Sequence, residues 1–389
     1  MNTVFPQDAQ SALLVARVQW PDLGAVLALA TPDGLYDLGS IAPTSADLLA
    51  MDDPATAIQA ARGQLPRMED MVGVLANSAL AKPDRSKPYL LAPCDLQPIK
   101  AAGVTFVASM LERVIEEQAR GDATRALAVR EKVSKVIGDN LRAIVPGSQK
   151  AMEVKALLME MGLWSQYLEV GIGKDAEVFT KSQAMSAVGY GAQIGIHPTS
   201  HWNNPEPEIV LAVSPQGKVQ GVALGNDVNL RDVEGRSALL LGKAKDNNAS
   251  CAIGPFIRLF DAHFSMDDVR QCEIALNVTG QDGFVMEGSS SMSQISRDPL
   301  DLVAQTINAN HQYPDGFMLF CGTMFAPTKD RFAAGQGFTH AVGDVVTVSS
   351  PRLGALTNTV NTCDKITPWE YGARALMRDL AKRGLLSIA

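Results

Sequence analysis

The chain has 389 residues, length for roughly two to three domains of about 150 residues, with core enough to fold without metal or disulfide staples. Hydrophobic residues are 46% and charged residues 20% of the sequence, which excludes a disordered or fibrous chain. A formal net charge of −8 without any Lys/Arg-rich run argues against nucleic acid or an anionic membrane as partner.

Residues 13–18, 25–30 and 35–38 are short apolar runs, and Thr31-Pro32-Asp33-Gly34 between the last two has the chemistry of a tight hairpin turn. Short helices are expected at 45–50 and 53–61. A Pro-containing segment, 87–98, reads as a connection, which sets a small N-terminal α+β domain at 1–95 and a second domain at 96–389. Residues 107–164 interleave charged and apolar residues in a mostly helical pattern, interrupted at Pro146-Gly147, and their apolar spacing does not hold a heptad. From 176 to about 360 the chain is rich in strands and turns, with helices expected at 299–308 and 368–383. The fold class is therefore α+β. No apolar run reaches about 18 residues, the span of a bilayer. Residues 1–20 lack the basic start and apolar core of a signal peptide, so a cytoplasmic location is expected. The five cysteines (Cys94, Cys251, Cys272, Cys321, Cys363) are scattered and form no C-x-x-C pair, which reads as buried free thiols.

The stretch most informative about chemistry runs from Asn203 to Asp227. Glu206-Pro207-Glu208 opens a β-rich run that ends at Ser214-Pro215-Gln216-Gly217, and a second run returns to Asn226-Asp227. This pattern reads as an antiparallel hairpin. Residues two apart on a strand share a face, so Glu206 and Glu208 project together, and Pro207 belongs near the strand start. A turn centred between Gln216 and Gly217 pairs residues whose numbers sum to 433, which sets Asp227 opposite Glu206. Three acids on one face repel one another unless a cation joins them. With no Cys or His beside them, the ion would be hard: Mg²⁺, Mn²⁺ or Ca²⁺. Spacing alone leaves a solvated acidic hairpin as the alternative.

Other motifs are weaker. His197 and His201 are four apart, but Pro198 opposes a helix and no Glu follows the first His, as a zinc-protease helix needs. Gly171-Ile-Gly173-Lys-Asp-Ala176 loosely matches a dinucleotide loop, yet no βαβ unit with a downstream acid follows it. Neither a P-loop nor a G-x-S-x-G elbow is present.

At these residues the sequence resembles the fumarylacetoacetate hydrolase family. Glu206-Pro-Glu208 looks like its E-x-E pair, and Asn226-Asp227-Val-Asn-Leu-Arg231-Asp232 is similar to its N-D-V/W-S-A-R-D element. Gly242-Lys243-Ala-Lys245-Asp246 with Gly254-Pro255-Phe256 resembles the G-K-x-x-D…G-P-W stretch. Cys321-Gly322-Thr323-Met324 stands where T-G-T-P would be, and Gly343-Asp344-Val-Val346 resembles the late G-D-V-V element. The likeness runs from about 100 to 360.

The resemblance implies a mixed β-sandwich roll, Glu206, Glu208 and Asp227 as ligands of Mg²⁺ (or Mn²⁺), and Lys243, Thr323, Gly322, Arg231 and Glu234 at the substrate. Lys245, two positions on, rivals Lys243 for the lysine role. It also implies a small-molecule 2-keto acid substrate and a homo-oligomer. The family's hydrolases and decarboxylases carry a His–Glu dyad in G-x-N-Y-x-x-H-x-x-E. Here Glu112 keeps its place, while Ser109 stands where the His would be, and serine cannot serve as a near-neutral base. Glu234 stands where the family often has Gln, and Met324 replaces Pro. The Ser-for-His change and the longer N-terminal portion resemble the family's 2-keto-3-deoxy-pentonate dehydratases. That implies enolisation at C3 and loss of the C4 hydroxyl to give 2,5-dioxopentanoate, with Lys243, Glu112 and Ser109 as catalytic residues. The alternatives are a C–C hydrolase or decarboxylase of acylpyruvate- or oxaloacetate-type acids, and a non-catalytic carboxylate-binding protein.

Overall fold

The computed structural model describes residues 4–106, 110, 144–160, 162, 165–325, 327, 329–333 and 337–386. Ser109 and Glu112 lie outside the described residues. The first strands are β1 (Leu14–Trp20), β2 (Gly24–Thr31), β3 (Gly34–Asp37), β4 (Arg67–Glu69), β5 (Tyr89–Leu91) and β6 (Ile99–Gly103). Then come β7 (Glu177–Ser182), β8 (Gln193–Ile196), β9 (Asn203–Asn204), β10 (Pro207–Val213), β11 (Val219–Asp227) and β12 (Asn229–Leu230). The last are β13 (Cys251–Leu259), β14 (Glu273–Thr279), β15 (Val285–Ser291), β16 (Phe317–Phe320), β17 (Val345–Ser350) and β18 (Gly354–Thr362).

Helices α1 (Ser45–Ala50), α2 (Pro54–Ala61) and α3 (Met71–Ser78) belong to the N-terminal part. The first two begin where the sequence supplies caps. The Thr44 hydroxyl accepts from the Asp47 N–H, and Asp53 accepts from Thr56 with Pro54 in the first turn, which satisfies N–H groups that have no partner within the helix. Farther along are α4 (Gln149–Glu160), α5 (Gln166–Ile172), α6 (Arg231–Glu234), α7 (Leu241–Lys245), α8 (Met266–Arg270), α9 (Pro299–Thr306) and α10 (Ala373–Lys382).

Eleven strands form one sheet in the order β4-β3-β2-β1-β13-β11-β10-β16-β6-β7, with β5 also paired to β1. Five more, β15-β14-β17-β18-β8, form a second sheet. The N-terminal strands are thus continuous with the rest through β1 and β13, where Leu14 pairs with Arg258. The expected division after residue 95 falls between β5 and β6, within a shared sheet.

The hairpin adopts the register read from the sequence. Pro207 pairs with Asn226, Glu208 with Gly225 and Ile209 with Leu224, until a bulge near Val213. Both faces of β10 and β11 are buried, which explains their near-continuous apolar runs. Ile209, Leu211 and Val213 point into the core shared with Ile274, Leu276, Val346 and Val348 of the second sheet. Val210 and Ala212 pack with Leu48, Leu49 and Ile58 of α1 and α2. Alternation places Glu208 on this latter side, at the end of the sheet where apolar packing stops.

Candidate metal centre

Glu208 sits on β10, Glu206 one residue before it and Asp227 at the end of β11. One ligand oxygen from each lies within 4.8 Å of the others, and the three residues are only 5%, 2% and 2% exposed for Glu206, Glu208 and Asp227. The backbone enforces this closeness: the Asp227 N–H donates to the Glu206 carbonyl at 2.9 Å, and the Glu206 N–H donates to the Asn226 side-chain oxygen at 3.0 Å. Gly225, opposite Glu208, must be glycine, because a Cβ there would lie 2.3 Å from the Phe320 ring.

Two lysines face these acids. The Lys245 ammonium, on α7, donates to Glu206 Oε2 at 2.5 Å and Asp227 Oδ2 at 3.0 Å. Lys181, on β7, is fully buried; it lies 2.7 Å from Asp227 Oδ1 and donates to the carbonyls of Val228 and Lys245. The Gly322 N–H, just beyond β16, donates to Glu208 Oε2 at 2.7 Å. Gly322 has φ +88° and its Cβ would meet the Thr105 hydroxyl at 2.1 Å, so only glycine brings its N–H here. The Asn229 amide nitrogen reaches Glu206 Oε1 at 3.2 Å and Glu234 Oε2 at 2.5 Å.

Burial pushes the Glu208 carboxyl well above the carboxylate range, and the neighbouring charges of Asp227 and Glu206 add to it, against Lys245 and the Gly322 N–H. Burial alone would lower Lys245, but Asp227, Glu206 and Glu234 together hold its ammonium above the usual lysine value. Three buried carboxylates facing the two ammonium groups of Lys245 and Lys181 leave the cluster short of positive charge. An all-oxygen donor set of this kind fits a hard divalent cation.

The acids and Lys245 line a small cavity of about 50 Å³, together with Thr323, Glu234, Glu177, Tyr167 and Phe179. A larger cavity of about 570 Å³ lies elsewhere, between Arg17, Tyr89, Gly189 and Trp369. The acids that line it, Asp22, Glu370 and Asp379, do not converge; among the described residues, Glu206, Glu208 and Asp227 form the one converging group of three.

The sequence-expected residues are distributed unevenly around this site. Thr323, Gly322 and Glu234 line the cavity. Arg231 is buried, with its guanidinium 4.3 Å from the Trp202 ring, and does not line it. Lys243 is exposed and outside the cavity, whereas Lys245 is buried within it. The physical reason is the short helix: two residues along α7 turn a side chain by roughly 200°, so the two lysines face opposite ways. Sequence reasoning missed Lys181, Glu177 and Tyr167. A lone lysine in Val178-Phe179-Thr180-Lys181 reads as a solvent-facing strand position, and nothing local distinguishes it.

Fold and site together define a protein with a buried carboxylate cluster suited to a divalent cation, set at the end of a β-hairpin in a two-sheet architecture. A family model described as fumarylacetoacetate (FAA) hydrolase, C-terminal, matches residues 160–361, and the chain belongs to that family. A 2-dehydro-3-deoxy-D-arabinonate dehydratase of Saccharolobus solfataricus is 28% identical over 191 residues, 49% of this chain and 60% of the relative. The matched region therefore spans about three fifths of that relative's length. A probable 2-keto-3-deoxyxylonate dehydratase of Haloferax volcanii is 27% identical over 215 residues, 55% of this chain and 68% of the relative. Among solved structures, a 2-keto-3-deoxy-D-arabinonate dehydratase complexed with magnesium and 2,5-dioxopentanoate superposes with a TM-score of 0.60. It is 19% identical and covers 90% of this chain and 99% of its own; the likeness is one of fold. Among the described residues no helix is long and apolar enough to cross a membrane.

Proposed function

We propose that the protein is a metal-dependent dehydratase of a 2-keto-3-deoxy pentonate, yielding 2,5-dioxopentanoate. The observation that carries this reading is the buried triad of Glu206, Glu208 and Asp227 with Lys245 bridging two of its members. The names of the two relatives support the substrate class. Glu206, Glu208 and Asp227 would hold Mg²⁺ or Mn²⁺, which as a Lewis acid supplies polarisation of the 2-keto oxygen and acidifies the C3 protons.

The chain's own residues account for the remaining requirements. Lys181 fixes the orientation of Asp227. Lys245, held cationic by its neighbours, stabilises negative charge that develops on the keto oxygen. Thr323, whose hydroxyl accepts from the Phe325 N–H at 3.1 Å, lies at the cavity wall where a substrate carboxylate would sit. Removal of the C3 proton and protonation of the departing C4 hydroxide leave a C3=C4 double bond and a C5 alcohol. A proton shift from C5 to C3 then gives the C4=C5 enol, which tautomerises to the C5 aldehyde, and these transfers need a base and an acid. Glu177 and Glu234 stand in the cavity wall, and Glu112, from the sequence element it shares with the family, is the third carboxyl available. Ser109 in place of the dyad histidine disfavours C–C hydrolysis, because no imidazole stands there to activate water.

The test is incubation of the purified protein with 2-keto-3-deoxy-xylonate and 2-keto-3-deoxy-arabinonate and Mg²⁺, following the C5 aldehyde by NMR, with and without EDTA. The aldehyde forms only with metal. Release of pyruvate from acylpyruvates or oxaloacetate, with no dehydration, would replace this reading with the hydrolase or decarboxylase one.

A further inference from the structure

We propose that the larger cavity, between β1, β5 and the chain around Trp369, binds an organic monoanion, a carboxylate on an aromatic body, with Arg17 as its charge partner. The cavity measures about 570 Å³, the size of a small-molecule site. It shares no lining residue with the metal centre, so this ligand is a second one, whatever the triad holds.

The call for an anion comes from one side chain. Arg17, on β1, is only 4% exposed and lines the cavity. Its Nη1 donates to the Cys94 carbonyl at 3.1 Å, while its Nη2 is buried without a hydrogen-bond partner. A buried cation is costly unless a counter-charge and an acceptor reach it, and the acids of the cavity wall are engaged elsewhere. Glu370 lies 3.8 Å from Arg85. Asp379 accepts from the Tyr371 hydroxyl at 2.6 Å and lies 3.7 Å from Lys382. Asp22 is exposed. Among the described residues no carboxylate pairs with Arg17; the Tyr371 ring, its centroid 5.8 Å from Arg17 Cζ, attracts the cation but accepts no strong hydrogen bond. A ligand carboxylate supplies both the missing charge and the missing acceptor.

The body of the ligand follows from the walls. Of the chain's 4 tryptophans, Trp20 and Trp369 line this cavity, as do Tyr89, Tyr190 and Tyr371 of its 6 tyrosines. None of its 12 phenylalanines does. Rings with a polar tip suit a wall that is wet at one end, and their faces and edges favour a flat aromatic partner. An aromatic acid therefore matches the cavity better than an aliphatic one.

Two probes test this, 2-naphthylacetate and its neutral amide, which share a body and differ in the charge offered to Arg17. Calorimetry on the Mg²⁺-loaded full chain should show one acid bound per chain, about tenfold tighter than the amide. Stripping the metal should leave that affinity unchanged, since the metal centre is a separate cavity. Arg17→Met should abolish the preference for the acid, and Trp369→Leu, at a position 47% exposed, should weaken acid and amide alike. Should Arg17→Met fail to fold, the native acid-to-amide ratio and Trp369→Leu decide the matter. No saturable binding of the acid, equal affinities for acid and amide, binding that disappears with the metal, or affinities that Trp369→Leu leaves unchanged would each overturn the proposal. So would a preference that survives in folded Arg17→Met. None of these results bears on the dehydratase reading, which is tested at the other cavity.

Discussion

Replacing Lys181 with methionine removes a charge that nothing local in the sequence marks as important. The ammonium is fully buried, 2.7 Å from Asp227 Oδ1, and donates to the carbonyls of Val228 and Lys245. Breaking a buried ion pair by deleting one partner costs about 3–5 kcal/mol. Lys245 continues to neutralise Asp227 from its other oxygen at 3.0 Å, which puts the pair at the lower end, about 3 kcal/mol. The Lys245 carbonyl keeps the Ser250 hydroxyl as a donor at 2.7 Å, so the lost bond to Val228 adds about 1 kcal/mol. The expected loss is about 4 kcal/mol, read from urea unfolding of native and Lys181→Met protein in metal-free buffer. A double-mutant cycle with Asp227→Asn separates the pair from the packing: the two losses should fall short of additivity by about 2 kcal/mol. A loss under about 1 kcal/mol, or strict additivity, would refute the assigned role.

Three other outcomes follow from the same geometry. Lys243→Ala, at an exposed position, should leave Mn²⁺ affinity and turnover within about twofold of native, while Lys245→Ala cuts turnover at least a hundredfold; equal effects in a steady-state assay would contradict the placement of α7. Gly322→Ala forces a side chain into a φ of +88° against Thr105, at about 1–3 kcal/mol of strain. A lower unfolding midpoint together with weaker Mn²⁺ binding is expected, and an unchanged midpoint would speak against the contact. Acid should destabilise the protein through Asp344 and His340. Burial alone would raise Asp344, but hydrogen bonds from His340 and Arg331 bring it down to about 2, while burial lowers His340. Both groups bind protons less readily when folded, so their stabilisation is present above their ordinary values and is lost as pH falls. The loss begins below about 6.5 for His340 and adds about 2 kcal/mol between about pH 4 and 2 for Asp344. Urea midpoints at pH 7, 5 and 3 measure it, and Asp344→Asn should flatten the lower part of the curve.

The hairpin was legible because its information is local. A period of two, a Pro/Gly turn and Pro207 at a strand start determine both the pairing and its register, and the 433 sum holds from Pro207 to Ala212. Helices were expected at 45–50, 53–61 and 299–308, and α1, α2 and α9 do form there behind side-chain caps, the last two with a proline in the first turn. The union of the N-terminal strands with the main sheet was not, since the pairing of Leu14 with Arg258 joins residues far apart in sequence and leaves no periodic trace. Lys243 resembled the site lysine through the family's G-K-x-x-D element, but the turn of α7 decides which lysine faces the acids. Lys181 and Glu177 stand on one strand, and only the folded chain sets Lys181 against Asp227 and Glu177 at the cavity.

Metal dependence is tested most directly by a Mn²⁺ titration of metal-stripped protein, with dehydration of 2-keto-3-deoxy-pentonate assayed at each point. One ion per chain is expected, with a rate that rises in proportion to occupancy, and both are lost in Glu208→Gln. Turnover without metal, or binding that persists undiminished in Glu208→Gln, would contradict it.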